Sequence, residues 1–169
     1  MYRFIYYVKK EKIYNYVIMG GILMSERYTC GIVTDLMLTR KNEQTGDLEV
    51  LLALRKNTGY GDGEYELPGG HLEKEEDLLQ AMVREAKEEL NIELKEKDLK
   101  IVHILHHFTG NRINFILTTD SYKGTLHIGE PDKCEKLEWF KIQELPSNTA
   151  EKVKKSLKEI YENIYYSNL

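Results

Sequence analysis

The sequence predicts an α/β fold: a mixed sheet with helices on both faces. Three observations carry the prediction. Strand-like segments lie both before and after one central helix, a second amphipathic helix closes the chain, and one strand is apolar throughout, as a strand covered on both faces must be. The 169 residues suit one domain with one substantial core, taken as 25–169, behind an N-terminal extension, 1–24.

The extension is Tyr- and Lys-rich, with Lys9-Lys10-Glu11-Lys12 ahead of a short apolar run from Tyr16 to Met24. A signal peptide fits poorly, because the charges sit deep and no small-residue cleavage site follows Met24. An added strand or hairpin is a second reading. The third, which we favour, is that translation starts at Met19 or Met24; the intact mass of natively expressed protein decides it.

From Tyr28 the pattern is regular. Tyr28 to Thr34 is β-rich and Leu36-Met37-Leu38 prolongs it. Lys41 to Asp47 is a polar turn, Val50 to Leu54 the apolar strand ending at Arg55, and Lys56 to Glu64 a loop with three glycines. Tyr65-Glu66-Leu67 is a short strand that delivers Pro68 and a Gly69-Gly70 turn. Asp77 with Gln80 three residues on reads as a capping box, and Leu79, Met82 or Val83, Ala86 and Leu90 make the apolar stripe of a helix ending at Asn91. Strands follow at Leu99 to Leu105, Arg112 to Thr119, more weakly from Thr125, and at Leu137 to Phe140. After a turn at Glu144 to Asn148, Ala150, Val153, Leu157, Ile160 and Ile164 form the stripe of the C-terminal helix.

The central helix carries the chemistry. Glu85 lies three residues before Glu88 and four before Glu89, spacings that share a helical face. Like charges so placed repel by a few tenths of a kcal/mol per pair, so helix propensity does not account for them. A hard divalent cation does, since carboxylate clusters supply the oxygen ligands it takes. A solvated acidic face is the alternative for any Glu-rich helix, and the wider spacing decides against it. From Gly70, five residues lead to Glu76 and seven more to Arg84-Glu85, then Ala86, Lys87, Glu88-Glu89, Leu90, Asn91 and Ile92.

This pattern resembles the Nudix box of the MutT-type hydrolases, Gly-x5-Glu-x7-Arg-Glu-(apolar)-x-Glu-Glu-x-Gly-(apolar), with Asn91 in place of the last glycine. Asn is the usual second choice where a helix ends in a left-handed residue. The resemblance, which runs from about Tyr28 to Ile164, implies an α/β/α sandwich and hydrolysis of a nucleoside diphosphate linked to another group. It implies Mg²⁺ or Mn²⁺ held by Glu85, Glu88, Glu89 and the Gly69 carbonyl, with Arg84 orienting the carboxylates. The general base is Glu88 or Glu85, with Glu130 in the Glu130-Pro131-Asp132 loop as competitor. Glu76 is then structural, and His71 a loop histidine. Asn148 looks like the Asn that reads the purine, although an N-cap explains it equally well; Arg55 and Glu66 are similar to positions lining that pocket. The expected substrate is a nucleoside triphosphate, cleaved to the monophosphate and pyrophosphate. An ADP-ribose or dinucleotide pyrophosphatase is the nearest alternative.

Other classes fit less well. A non-catalytic nucleotide-sensing module would have lost box glutamates, and all three are present. A diphosphate isomerase needs metal-binding histidines, for which His103, His106 and His107 are candidates, and a catalytic Cys that neither Cys30 nor Cys134 resembles. RNA decapping lacks a basic stripe, and a net charge of −4 argues against nucleic-acid and membrane-surface partners. Two distant cysteines give no disulfide framework and suit the cytoplasm; Cys30 reads as a buried small hydrophobe. No apolar run is long enough to span a membrane. A homodimer is compatible with all of this.

Overall fold

The computed structural model describes the backbone of residues 3–9, 12–19 and 22–24 and every residue of 28–169. The chain divides into two compact units, residues 1–30 and 31–169. In the first, β1 (Arg3–Lys9), β2 (Lys12–Met19) and β3 (Ile22–Met24) pair in that order, all antiparallel. The start-site expectation turns on Met1, which lies outside the described residues.

The second unit opens with β4 (Gly31–Leu36), three residues later than the pattern suggests. The strand also stops sooner, at Leu36: Met37 N still donates to Leu117 O, but Leu38 O already accepts from Leu51 N of the other sheet. Met37 and Leu38 lead into β5 (Thr39–Lys41) and, after a turn in which Asn42 Oδ1 accepts from Gln44 N and Thr45 N, β6 (Leu48–Arg55). Then come β7 (Tyr65–Glu66), β8 (Gly69–His71), α1 (Leu78–Leu90), a single 3-10 turn at Glu96–Asp98, β9 (Lys100–His107), β10 (Arg112–Thr118), β11 (Cys134–Lys141), α2 (Glu151–Tyr161) and β12 (Tyr166–Asn168).

Two sheets result. The first, ordered β12-β9-β10-β4-β8, is mixed: β10 and β4 run parallel, as do β12 and β9, and the other pairs are antiparallel. The second is antiparallel, with β6 between β11 and β5 and also pairing β7. Side chains alternate between two cores as strand geometry requires. Leu36, Leu51 and Leu117 pack with Met82, Ala86 and Leu90 of α1; their neighbours Met37, Val50, Leu52 and Ile116 pack with Val153 and Leu157 of α2. Each helix therefore covers one face, and the fold is the α/β/α sandwich with mixed sheet.

Three local expectations are corrected, and one strand is added. Gly69-Gly70 is a strand, not a turn, paired to Thr34 and Asp35 of β4. No strand forms from Thr125, because that segment spends its backbone hydrogen bonds on α1: His127 N donates to Leu90 O and Gly129 N to Glu89 O, carbonyls a helix end leaves without partners. Ile164 lies beyond α2, which ends at Tyr161 and is followed by Asn163 at a positive φ of 58°. Finally, β12 was not foreseen; it adds to β9 in parallel. Among the described residues, no helix is long and apolar enough to cross a membrane.

Candidate functional site

The helix that carries the acids is fixed at both ends by its own sequence. Asp77 caps α1, its Oδ1 accepting from Leu79 N and Gln80 N while Gln80 Oε1 accepts from Asp77 N, so the capping box is closed in both directions. Asn91 ends it in the left-handed region at φ 54°. Ala81, Met82, Ala86 and Leu90 are buried, which turns Glu85, Glu88 and Glu89 toward β8 and the loop before β11.

Those acids line a cleft of about 650 Å³. Gly70 of β8 lies so close to Glu85 that a Cβ there would fall 2.3 Å from Glu85 Oε1. Gly69 N donates to Glu89 Oε2 at 2.7 Å. Gly129 sits on the end of α1, where a Cβ would meet Glu88 O at 1.8 Å, and this close approach places Glu130 on the same cleft. Glu130 Oε1 accepts from Lys133 Nζ at 2.8 Å.

Arg84 binds the cluster together and spends all five of its N–H groups doing so. Nε and Nη2 take Glu76, at 3.1 and 2.8 Å; Nη1 takes Glu85 at 2.8 Å and Glu88 at 3.1 Å; Nη2 also takes His71 O at 3.1 Å. With no donor left over, Arg84 ties Glu76, Glu85 and Glu88 to one guanidinium, as its planar fork suits it to do. The same pairing holds the Glu76 carboxyl below its ordinary range.

Glu85 and Glu89 behave in the opposite way. Burial raises the Glu85 carboxyl, against the pull of Arg84. Burial also lifts Glu89, to about 8, with Glu85 and Glu130 adding to the rise and the Gly69 N–H opposing it. The folded protein therefore holds a proton on Glu89 that the unfolded chain releases near its ordinary value of 4.5. On this account the metal-free protein loses stability as pH rises from about 4.5 to about 8. Thermal melts in a chelator across that range should show the decline in wild type and lose it in Glu89→Gln.

Among the described residues, no three His, Cys, Asp or Glu side chains already surround one point. Glu85 and Glu88 are turned onto Arg84, and Glu89 onto Gly69 N. The set nonetheless suits a hard divalent cation: its side-chain donors are all oxygens, and the buried Glu89 carboxyl is under-compensated, as its raised value records.

Among the other residues of the cleft, Arg55 Nη1 and Lys152 Nζ both reach Glu66 Oε2, at 3.4 and 3.1 Å. Arg112 Nη2 donates to the Tyr60 hydroxyl at 2.8 Å, and buried Asp35 accepts from Asn114 Nδ2 at 2.7 Å. Of the sequence candidates, Arg55, Glu66, Gly69, Arg84, Glu85, Glu88, Glu89 and Glu130 all line this cleft. Asn148 does not. Its Nδ2 donates to Gly63 O at 2.8 Å, and the N-cap of α2 is Ala150, so it neither caps the helix nor faces the cleft. Asp35, Tyr60, Arg112 and Lys152 were missed; each comes from a different chain segment, and no local spacing links them. His103 lies in the core, its Nδ1 2.9 Å from Ile164 O, rather than with a metal-binding set.

The fold recurs in solved structures. The MutT Nudix hydrolase from Burkholderia pseudomallei aligns with a TM-score of 0.65 at 24% identity over 76% of this chain and 95% of its own. The ORF135 protein of E. coli gives 0.63 at 24% over 79% and 90%, and a Nudix hydrolase from Nitrosomonas europaea 0.65 at 18% over 98% and 94%. At these identities the likeness is one of fold. The NUDIX domain model matches residues 32–164 of this sequence. The chain belongs to the Nudix family, hydrolases of compounds in which a nucleoside diphosphate is linked to another group.

Proposed function

We propose that this chain is a Mg²⁺-dependent pyrophosphohydrolase that cleaves a nucleoside triphosphate to the monophosphate and pyrophosphate. One observation carries the reading: Glu85, Glu88, Glu89 and Glu130 line a single cleft that paired charges and a tyrosine also line.

Mg²⁺ or Mn²⁺ held there, by Glu85, Glu88, Glu89 and the Gly69 carbonyl, would neutralise phosphoryl oxygens and acidify a water. The residues do the rest by positioning, which is most of what phosphoryl transfer asks of a protein. Arg84 fixes the Glu85 and Glu88 carboxylates from one guanidinium. Gly69 and Gly70, without side chains, let the diphosphate approach the acids. Glu88, with about half its side chain exposed, is the carboxylate freest to take a proton from the attacking water. Glu85, on the same Nη1, is the alternative, and Glu130, tied to Lys133, the competing base. Both cysteines are unpaired, as a reducing cytoplasm leaves them.

The test is hydrolysis of a panel with Mg²⁺: purine and pyrimidine triphosphates, their oxidised forms, ADP-ribose and NADH. Pyrophosphate from a triphosphate is the expected product. Turnover of ADP-ribose alone would move the substrate, and tight binding without turnover would mark a sensing module.

A further inference from the structure

Lys152 breaks two local rules. It lies in the first turn of α2, where the helix dipole disfavours a cation, and that helix starts at Ala150 without any side-chain cap. Its side chain is only 12% exposed, although lysine is among the residues least often buried. The apolar stripe of α2 needs Val153 and Leu157 inside and gives no reason for Lys152 to follow them. Lys152 is also the one residue by which α2 reaches the cleft. Local rules broken together at a cleft mark function.

Its surroundings define the chemistry. Lys152 Nζ pairs with Glu66 Oε2 at 3.1 Å, and the Glu66 side chain is 6% exposed. Behind them, Leu67, Leu105, Ile116 and Val153 wall a small apolar space that Asp35 also borders. The cleft also holds Tyr60, the only Phe, Tyr or Trp among its lining residues; the Arg112 guanidinium lies 5.0 Å from the centre of its ring, and a base would stack on the ring or on that guanidinium. A deep donor, Lys152, and a deep acceptor, Glu66, thus lie side by side in a cleft that Tyr60 also lines. The amides present do other work: Asn114 Nδ2 is given to Asp35, Asn57 Nδ2 to Asp132 O and Asn148 Nδ2 to Gly63 O.

We propose that Lys152 and Glu66 determine base specificity, reading a guanine edge: Lys152 donates to O6 or N7, and Glu66 accepts from N1–H and the 2-amino group. The inference rests on the nucleotide reading above. Lysine is a partner of choice for guanine O6 and N7, and an amide, with donor and acceptor in one plane, for adenine. The cleft offers the first beside Glu66, and the one amide among its lining residues, Asn57, is engaged with Asp132 O.

Two readouts on the full-length protein test it. Steady-state hydrolysis of GTP and ATP with Mg²⁺ should favour GTP in kcat/KM by roughly tenfold or more, the size of one good base contact. Lys152→Met should erase most of that preference through KM, Lys152→Arg should restore part of it, and Glu66→Gln, which installs an amide, should move the preference toward ATP. Glu66 keeps Arg55 as a partner in Lys152→Met, and thermal melting checks that the fold persists. Calorimetric binding of GMP and AMP reads the same pocket without turnover. Tighter GMP binding that Lys152→Met abolishes supports the assignment even if no triphosphate is hydrolysed, in which case only the catalytic reading falls. Equal binding of the two, or a GMP preference indifferent to Lys152, overturns it.

Discussion

Glu85→Gln, Glu88→Gln and Glu89→Gln are each expected to lower kcat by roughly 10²–10³-fold, because a carboxylate that holds a cation supports several kcal/mol of transition-state stabilisation. The structural cost should be small, and for Glu89 of opposite sign. Its carboxyl titrates at about 8 because burial disfavours its charge, so a neutral amide of the same shape removes a liability at neutral pH. Glu89→Gln should therefore melt no lower than wild type at pH 8 in a chelator, while wild type gains more from added Mg²⁺. Losing activity while keeping the fold separates a ligand from a structural acid. If all three variants kept near-wild-type turnover, the proposed cation site would be wrong. Glu88→Gln tests a second point: if its rate loses the basic-going limb of the pH profile and the other two keep it, Glu88 is the base.

Gly69→Ala should have the largest effect on stability. Gly69 holds φ 145°, where a side chain is strained, and a Cβ there would stand 2.0 Å from Thr34 O and 2.9 Å from Asp35 Cα. Both atoms belong to the backbone of β4, in the sheet that underlies both cores, and cannot swing aside. The strand β8 must then part from β4, and Glu89 loses its hydrogen bond from Gly69 N. A loss of about 3 kcal/mol or more is expected, and with it a melting temperature lower by roughly 6–12 °C for a chain of this size. Gly46→Ala is the control. It too has a positive φ, 76°, but open space around it, so only the conformational cost of about 1 kcal/mol should appear. Equal losses in the two would mean that the close approach to β4 contributes nothing.

What the sequence disclosed and what it hid divide along one line, the range of the interaction. Asp77, Gln80 and Asn91 announce α1 because capping is settled within a few residues, and the spacing of Glu85, Glu88 and Glu89 is itself a helical property. The apolar run Val50 to Leu54 was legible because burial on both faces removes the alternation of polar residues. By contrast, β12 exists only by pairing with β9, and three residues carry no period. Gly69-Gly70 reads locally as a turn; only its antiparallel pairing with Thr34 and Asp35 makes it a strand. The segment from Thr125 has strand-forming residues, yet its N–H groups find the carbonyls of α1 first. Lys152, Asp35, Tyr60 and Arg112 meet only after the sheets and α2 have assembled, so no window of sequence contains them. Asn148 shows the converse: its place after Leu145-Pro146 suggests a purine contact, while its amide donates to Gly63 O and it is not among the residues that line the cleft.

The strand β8 is an edge of the first sheet, and edges are where proteins recruit unwanted partners, since their free N–H and C=O groups can template another strand. Here the edge is partly occupied: Gly69 N already donates to Glu89 Oε2 at 2.7 Å and is not available to an incoming chain. Two consecutive glycines would ordinarily make a bare edge dangerous. Glu89, a proposed cation ligand, thus also holds an N–H of this edge, so neutralising it to probe catalysis should be accompanied by a check for strand-mediated self-association.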